Sequence, residues 1–96
     1  MIIRVFRATV HDGKHDEFKA FFVDKALPIV QAHPGMLEAR IGTPLPSSPN
    51  EFLMITIWRD REALEHFAGT NWWEAVIDPD EAPLLRETAV HHYSGA

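Results

Sequence analysis

Phe52-Leu53-Met54-Ile55-Thr56-Ile57-Trp58 is the longest apolar run in the chain, and its β-branched and aromatic residues read as a strand. A strand with one wet side alternates apolar and polar residues. Here Leu53, Ile55 and Ile57 point one way, Phe52, Met54, Thr56 and Trp58 point the other, and both rows call for cover. The stretch therefore predicts a central strand in a sheet covered on both faces. It stops at Arg59-Asp60, where Asp60 is a good helix N-cap and Arg61 to Ala68 follows at helical spacing. Trp58 falls at the corner between strand and helix, a place where a fold can build a pocket.

Outward from this strand the other elements fall into order. Ile2 to Val10 is a second strand with little polar face: Ile2, Phe6, Ala8 and Val10 lie on one side, Ile3 and Val5 on the other, and Arg4 and Arg7 are its only charges. After the turn His11-Asp12-Gly13-Lys14, the residues Phe18, Phe21, Phe22, Ala26, Ile29 and Val30 fall at the three and four spacing of an amphipathic helix. Pro28 should kink or interrupt that helix, which is expected to run to about His33 and stop at Pro34-Gly35. Met36 to Thr43 reads as an edge strand with Leu37, Ala39 and Ile41 on one side and Glu38 and Arg40 on the other. Pro44 to Asn50 is a rigid loop. Beyond Gly69-Thr70-Asn71, the residues Trp72 to Ile77 are expected to make a further helical turn, and Arg86 to Ser94 alternates as a last strand.

The order β-α-β-β-α-β predicts one α+β domain over residues 1–96. It is a ferredoxin-like, four-stranded antiparallel sheet with helices on one face and the first and third strands central. A chain of 96 residues has a small core, so a second copy of the protein is expected to cover the bare face as a homodimer. Hydrophobic content of 46% and charged content of 24% are those of a globular protein. A net charge of -5 without a basic stripe argues against nucleic acid and anionic membrane as partners. Cysteine is absent, which excludes disulfides and thiolate nucleophiles. No leader pattern and no membrane-spanning run is seen, so a soluble cytoplasmic protein is expected.

Three phrases give the chain a family likeness: His33-Pro34-Gly35-Met36, Ile57-Trp58-Arg59-Asp60-Arg61-Glu62-Ala63-Leu64 and Val90-His91-His92-Tyr93. Together with the element order they resemble the antibiotic biosynthesis monooxygenase family of dimeric α+β barrel proteins, across essentially the whole chain. Many members of that family oxygenate polycyclic phenols with dioxygen and no metal or flavin, others degrade haem, and many have no established reaction. By this resemblance Trp58 matches the corner tryptophan that lines the pocket of the oxygenating members. Met54 and Leu64 stand nearest the family's asparagine and tyrosine, Asp78 near its arginine, and Ile77 near the proximal histidine of the haem-degrading members.

Oxygenation without a cofactor needs an apolar pocket and a group that takes or holds a proton, so that the substrate carbanion can pass an electron to dioxygen. Trp58, Trp72 and Trp73 could stack on a planar substrate, with Met54 and Thr56 beside Trp58 on the same strand face. His66, one helical turn beyond Glu62, and His92 in the last strand are the candidate bases. The bland alternatives are tryptophans in the core and solvated histidines. His and carboxylate spacings match no metal pattern, and no phosphate loop or nucleophile elbow occurs. The expectation is a homodimeric oxygenase of a small aromatic or quinol-type molecule, using dioxygen and no cofactor. A cavity of roughly 300 Å³ or more over Met54, Thr56 and Trp58 would favour a ligand-turning site, and a filled one would make these residues core. A binding or structural module of the same fold, or a haem-degrading monooxygenase, are the alternatives.

Overall fold

The computed structural model describes all residues from Met1 to Ala96. Strands β1 (Ile2–Val10), β2 (Met36–Gly42), β3 (Glu51–Trp58) and β4 (Leu85–Ser94) form one antiparallel sheet in the order β2-β3-β1-β4. The two strands with two apolar rows, β3 and β1, are the central pair, as expected. Helices α1 (His15–Phe21), α2 (Leu27–Gln31) and α3 (Arg61–Ala68) all lie on one face.

β3 alternates strictly in burial. Phe52, Met54, Thr56 and Trp58 are buried beneath the helices, while Leu53, Ile55 and Ile57 on the opposite face stay half-exposed. Phe18 from α1 meets Phe52 edge-on at a centroid distance of 4.8 Å, and Trp58 stacks on Phe67 of α3 at 5.3 Å. Aromatic rings thus make up much of the contact between sheet and helices.

Pro28 does not end the first helix. A π-helical stretch, Phe22–Ala26, precedes it, and the amide of Leu27 donates to the carbonyl of Phe22, five residues back. The wider turn relieves the clash that a proline imposes on a regular α-helix, so α2 continues to Gln31. The chain then turns through Gly35, whose φ of +82° suits glycine. A Cβ at Gly35 would also lie 2.5 Å from that of Ala63, so α3 packs directly on this turn.

Two expectations are corrected. In β2 the register shifts between Met36 and Glu38, which leaves Leu37 in a bulge and 56% exposed instead of on the row of Ala39 and Ile41. Met36 packs on the core in its place. Residues 72–77 form no helix: one turn, closed by the Glu74 amide on the Asn71 carbonyl, leads into irregular chain. After α3 ends at Gly69, this strap runs across the helix side of the sheet to the short 3-10 turn Ala82–Leu84. No helix is long and apolar enough to cross a membrane.

Candidate active site

The strap, the helices and the sheet enclose a cavity of about 60 Å³. Phe6, Met54 and Thr56 form its floor, and Phe22, Ala26, Val30 and Phe67 its apolar walls. Val76 and Glu81 close it from the strap, and Arg4 enters from β1. It adjoins a groove of about 320 Å³ that shares Ala26, Val30, Phe67, Val76 and Glu81 with it and extends past Phe21, Ile29 and Ile77. The enclosed part thus falls below the roughly 300 Å³ that would favour a ligand-turning site, and the outer groove holds most of the space.

Strand pairing places Arg4. Its neighbours across the sheet are Thr56 on β3 and His92 on β4, so Thr56, Arg4 and His92 form one row beneath the helices. Arg4 is only 4% exposed. Its Nη1 donates to the carbonyl of Trp72 at 2.6 Å and to Nε2 of His92 at 3.0 Å, and its Nη2 donates to the carbonyl of Glu74 at 3.0 Å. An arginine cannot accept, so Nε2 of His92 must be the acceptor and the imidazole is neutral with its proton on Nδ1. Burial and the neighbouring Arg4 and His91 charges keep the His92 pKa below its usual value, in keeping with that neutral form. Burial also lowers the Arg4 pKa to about 10, which leaves the guanidinium charged at neutral pH.

Glu81 is the second buried charge on the wall, also 4% exposed. Burial, with the nearby Asp78 carboxylate, pushes its carboxyl up to about 7, against smaller lowering effects of the Asp78 amide and Lys25. No ion pair joins it to Arg4. Its position is set by a clasp: Nζ of Lys25, in the π stretch, lies 3.3 Å from Asp78 and 2.7 Å from Asp80. Arg4 fastens one half of the strap and Lys25 the other. A carboxyl that titrates near neutrality and a guanidinium on the wall of the same apolar cavity are groups able to accept a proton and to stabilise an anion.

The residues singled out from sequence separate into three groups. Met54 and Thr56 line the cavity. Trp58 is fully buried beside it, its indole N-H donating to Oγ1 of Thr56 at 2.9 Å, and Trp72 packs on the core with its ring 5.0 Å from His92. His92 stands behind Arg4 instead of on the wall. His66 is exposed on α3, its Nδ1 3.1 Å from Nδ1 of His33, away from the cavity. Arg4 and Glu81 were missed. The signal for Arg4 was available, because it is the one charge on the parity of Ile2, Phe6, Ala8 and Val10. Glu81 lies among Asp78, Pro79, Asp80 and Pro83, where no periodicity marks a buried position.

The sequence profile of the antibiotic biosynthesis monooxygenase family matches residues 1–79, and the chain belongs to that family. No curated protein matches it. Among solved structures it is similar to a candidate antibiotic biosynthesis monooxygenase from Nitrosomonas europaea, with 18% identity and a TM-score of 0.77 over 99% of this chain and 98% of that one. It is also similar to a variant of SnoaB, a cofactor-independent oxygenase from Streptomyces nogalater, with 21% identity and a TM-score of 0.72 over 98% and 91%. A variant of MhuD with two manganese protoporphyrin IX molecules bound per active site is similar at 17% identity, with a TM-score of 0.74 over 99% and 94%. At these identities the likeness is one of fold.

Proposed function

We propose that the protein is a homodimeric, cofactor-independent monooxygenase of a small aromatic or quinol-type molecule. The observation that carries the reading is the pair of buried charges, Arg4 and Glu81, on the wall of one otherwise apolar cavity. The ring of the substrate would lie in the groove with its reactive edge toward Glu81. The Glu81 carboxylate takes a proton from an activated CH₂ group, and the field of Arg4 stabilises the carbanion. The carbanion passes an electron to dioxygen, and the resulting radical pair combines to a peroxide. The proton held by Glu81 returns to the peroxide, which loses water to leave a carbonyl. One oxygen atom ends in the product and one in water, so that CH₂ and O₂ become C=O and H₂O with no other reductant. Apolar walls favour this route by excluding water from the anion.

Neither the cavity nor the groove is lined by an imidazole, and Ile77 lines the groove, which gives the haem-degrading reading no axial ligand from this chain. The test is dioxygen uptake with anthrone, which carries the activated CH₂ group that the step requires. Turnover is expected in the wild type, with kcat reduced at least about 100-fold in Glu81→Gln. Absence of uptake, or equal turnover in the variant, would overturn the reading.

A further inference from the structure

Arg4 is a buried cation with no carboxylate partner: besides its hydrogen bonds, Cζ lies 5.8 Å over the Phe67 ring, a weaker compensation than an ion pair. A guanidinium has five N-H donors. Three are engaged, on two backbone carbonyls and one neutral imidazole, and none of these partners carries a negative charge. Nε and the second N-H of Nη2 have no partner within the protein, and Arg4 forms no ion pair with any carboxylate. As a strut between β1 and the strap, Arg4 accounts for the three bonds it makes. The strut does not account for an unpaired charge on a cavity wall, since an uncompensated buried ion is costly.

We infer that the ligand of this cavity is an anion, an aromatic acid whose carboxylate docks on the two unengaged N-H groups of Arg4. Two parallel N-H donors on a planar cation match the two oxygens of a carboxylate better than a single hydroxyl or carbonyl. The walls of Phe6, Phe22, Val30 and Phe67 supply the apolar contact that an aromatic ring requires. The inference rests on the cavity being the substrate site proposed above, and it narrows the substrate to a ring bearing a carboxylate.

Glu81 makes the binding depend on pH. Arg4 lines the same cavity from β1, Lys25 from the π stretch and Asp78 from the strap act on the carboxyl, and Asp80 is paired with Lys25. Of the groups near the ligand, Glu81 titrates close to neutrality. When ionised it repels a carboxylate, and when protonated it can donate to one. Binding of an acid therefore favours the protonated form and should weaken as pH rises, while turnover runs through the fraction of complexes in which Glu81 is ionised.

The experiment is calorimetric titration of the wild-type protein with 2-naphthoate and with its neutral counterpart 2-naphthamide, in buffers without anionic components. The acid is expected to bind at least tenfold more tightly at pH 6. Its affinity should fall about tenfold between pH 6 and pH 8, while that of the amide stays flat. Arg4→Lys, which keeps the charge but loses the fork, should lower the ratio of acid to amide affinity at least about tenfold. Should that variant fail to fold, the comparison of acid with amide on the wild type still decides. Equal affinities, tighter binding of the amide, or no binding of either would overturn the inference. Because binding is read without turnover, acid-selective binding in a protein that takes up no dioxygen would leave this inference standing and sink the oxygenase reading. Oxygen uptake without acid selectivity would do the reverse.

Discussion

The two faces of the sheet carry different kinds of side chain. Beneath the helices, Phe52, Met54 and Trp58 share their side with a threonine, an arginine and a histidine, and most of that surface is buried. The open face has the cleaner apolar centre, made of Ile3, Val5, Leu53, Ile55 and Ile57, yet it is only half-covered, with Tyr93 55% exposed beside it. The face with the polar groups is thus the one the chain buries itself. The polar residues there line the cavity and fasten the strap, whereas nothing within the chain covers the apolar face. That difference is the physical basis for proposing a homodimer.

The comparison can be broken in three places. Trp58→Ala removes the largest fully buried side chain of the covered face and should destabilise the protein by about 3–5 kcal/mol in urea unfolding. A loss near zero would mean that this face is not the core. Next in size is a pH effect confined to the same face. The folded Glu81 value near 7 lies above the ordinary 4.5, so the folded state holds the proton more tightly. The contribution is fully present below about pH 4.5 and is lost as pH rises through 7, by about 3 kcal/mol. Unfolding curves from pH 4 to pH 8 should show that decline in the wild type and lack it in Glu81→Gln; parallel profiles would contradict the burial of the carboxyl. On the open face, Ile55→Lys places one charge per protomer in the proposed interface. It should raise the dimer dissociation constant by about a hundredfold, roughly 2.8 kcal/mol, with the circular dichroism unchanged. Light scattering that reports a stable dimer in the variant, or a monomer in the wild type at micromolar concentration, would remove the argument from the open face.

Strand order and the central position of β3 were legible because periodicity two reports directly on which faces are covered, and the Asp60 cap was legible because it acts locally: its carboxylate accepts from the Ala63 amide at 2.8 Å. The strap was not. Trp72 to Ile77 has helix-like apolar spacing, but two of its carbonyls, those of Trp72 and Glu74, accept from Arg4, distant in sequence, instead of from amides of a helix. Leu37 was misplaced because a bulge moves one residue out of phase and leaves no trace in composition. Histidines and tryptophans attracted attention by residue type, yet the cavity wall took its charges from an arginine on a strand and a glutamate in an irregular segment. Their roles arise from burial, a property that only the folded chain displays.

The π stretch before Pro28 ties the cavity wall to the proline. Phe22 and Ala26, its two ends, both line the cavity, and Val30 lies one turn further on. Such a turn holds one residue more than an α-helical one, so losing one residue between Phe22 and Ala26 would leave an ordinary α-helical turn with Val30 still facing the wall. What would return is the clash between Pro28 and the preceding turn, which the wider turn relieves. The extra residue thus serves the proline, and the cavity keeps its wall because a π turn hands the helix on in register.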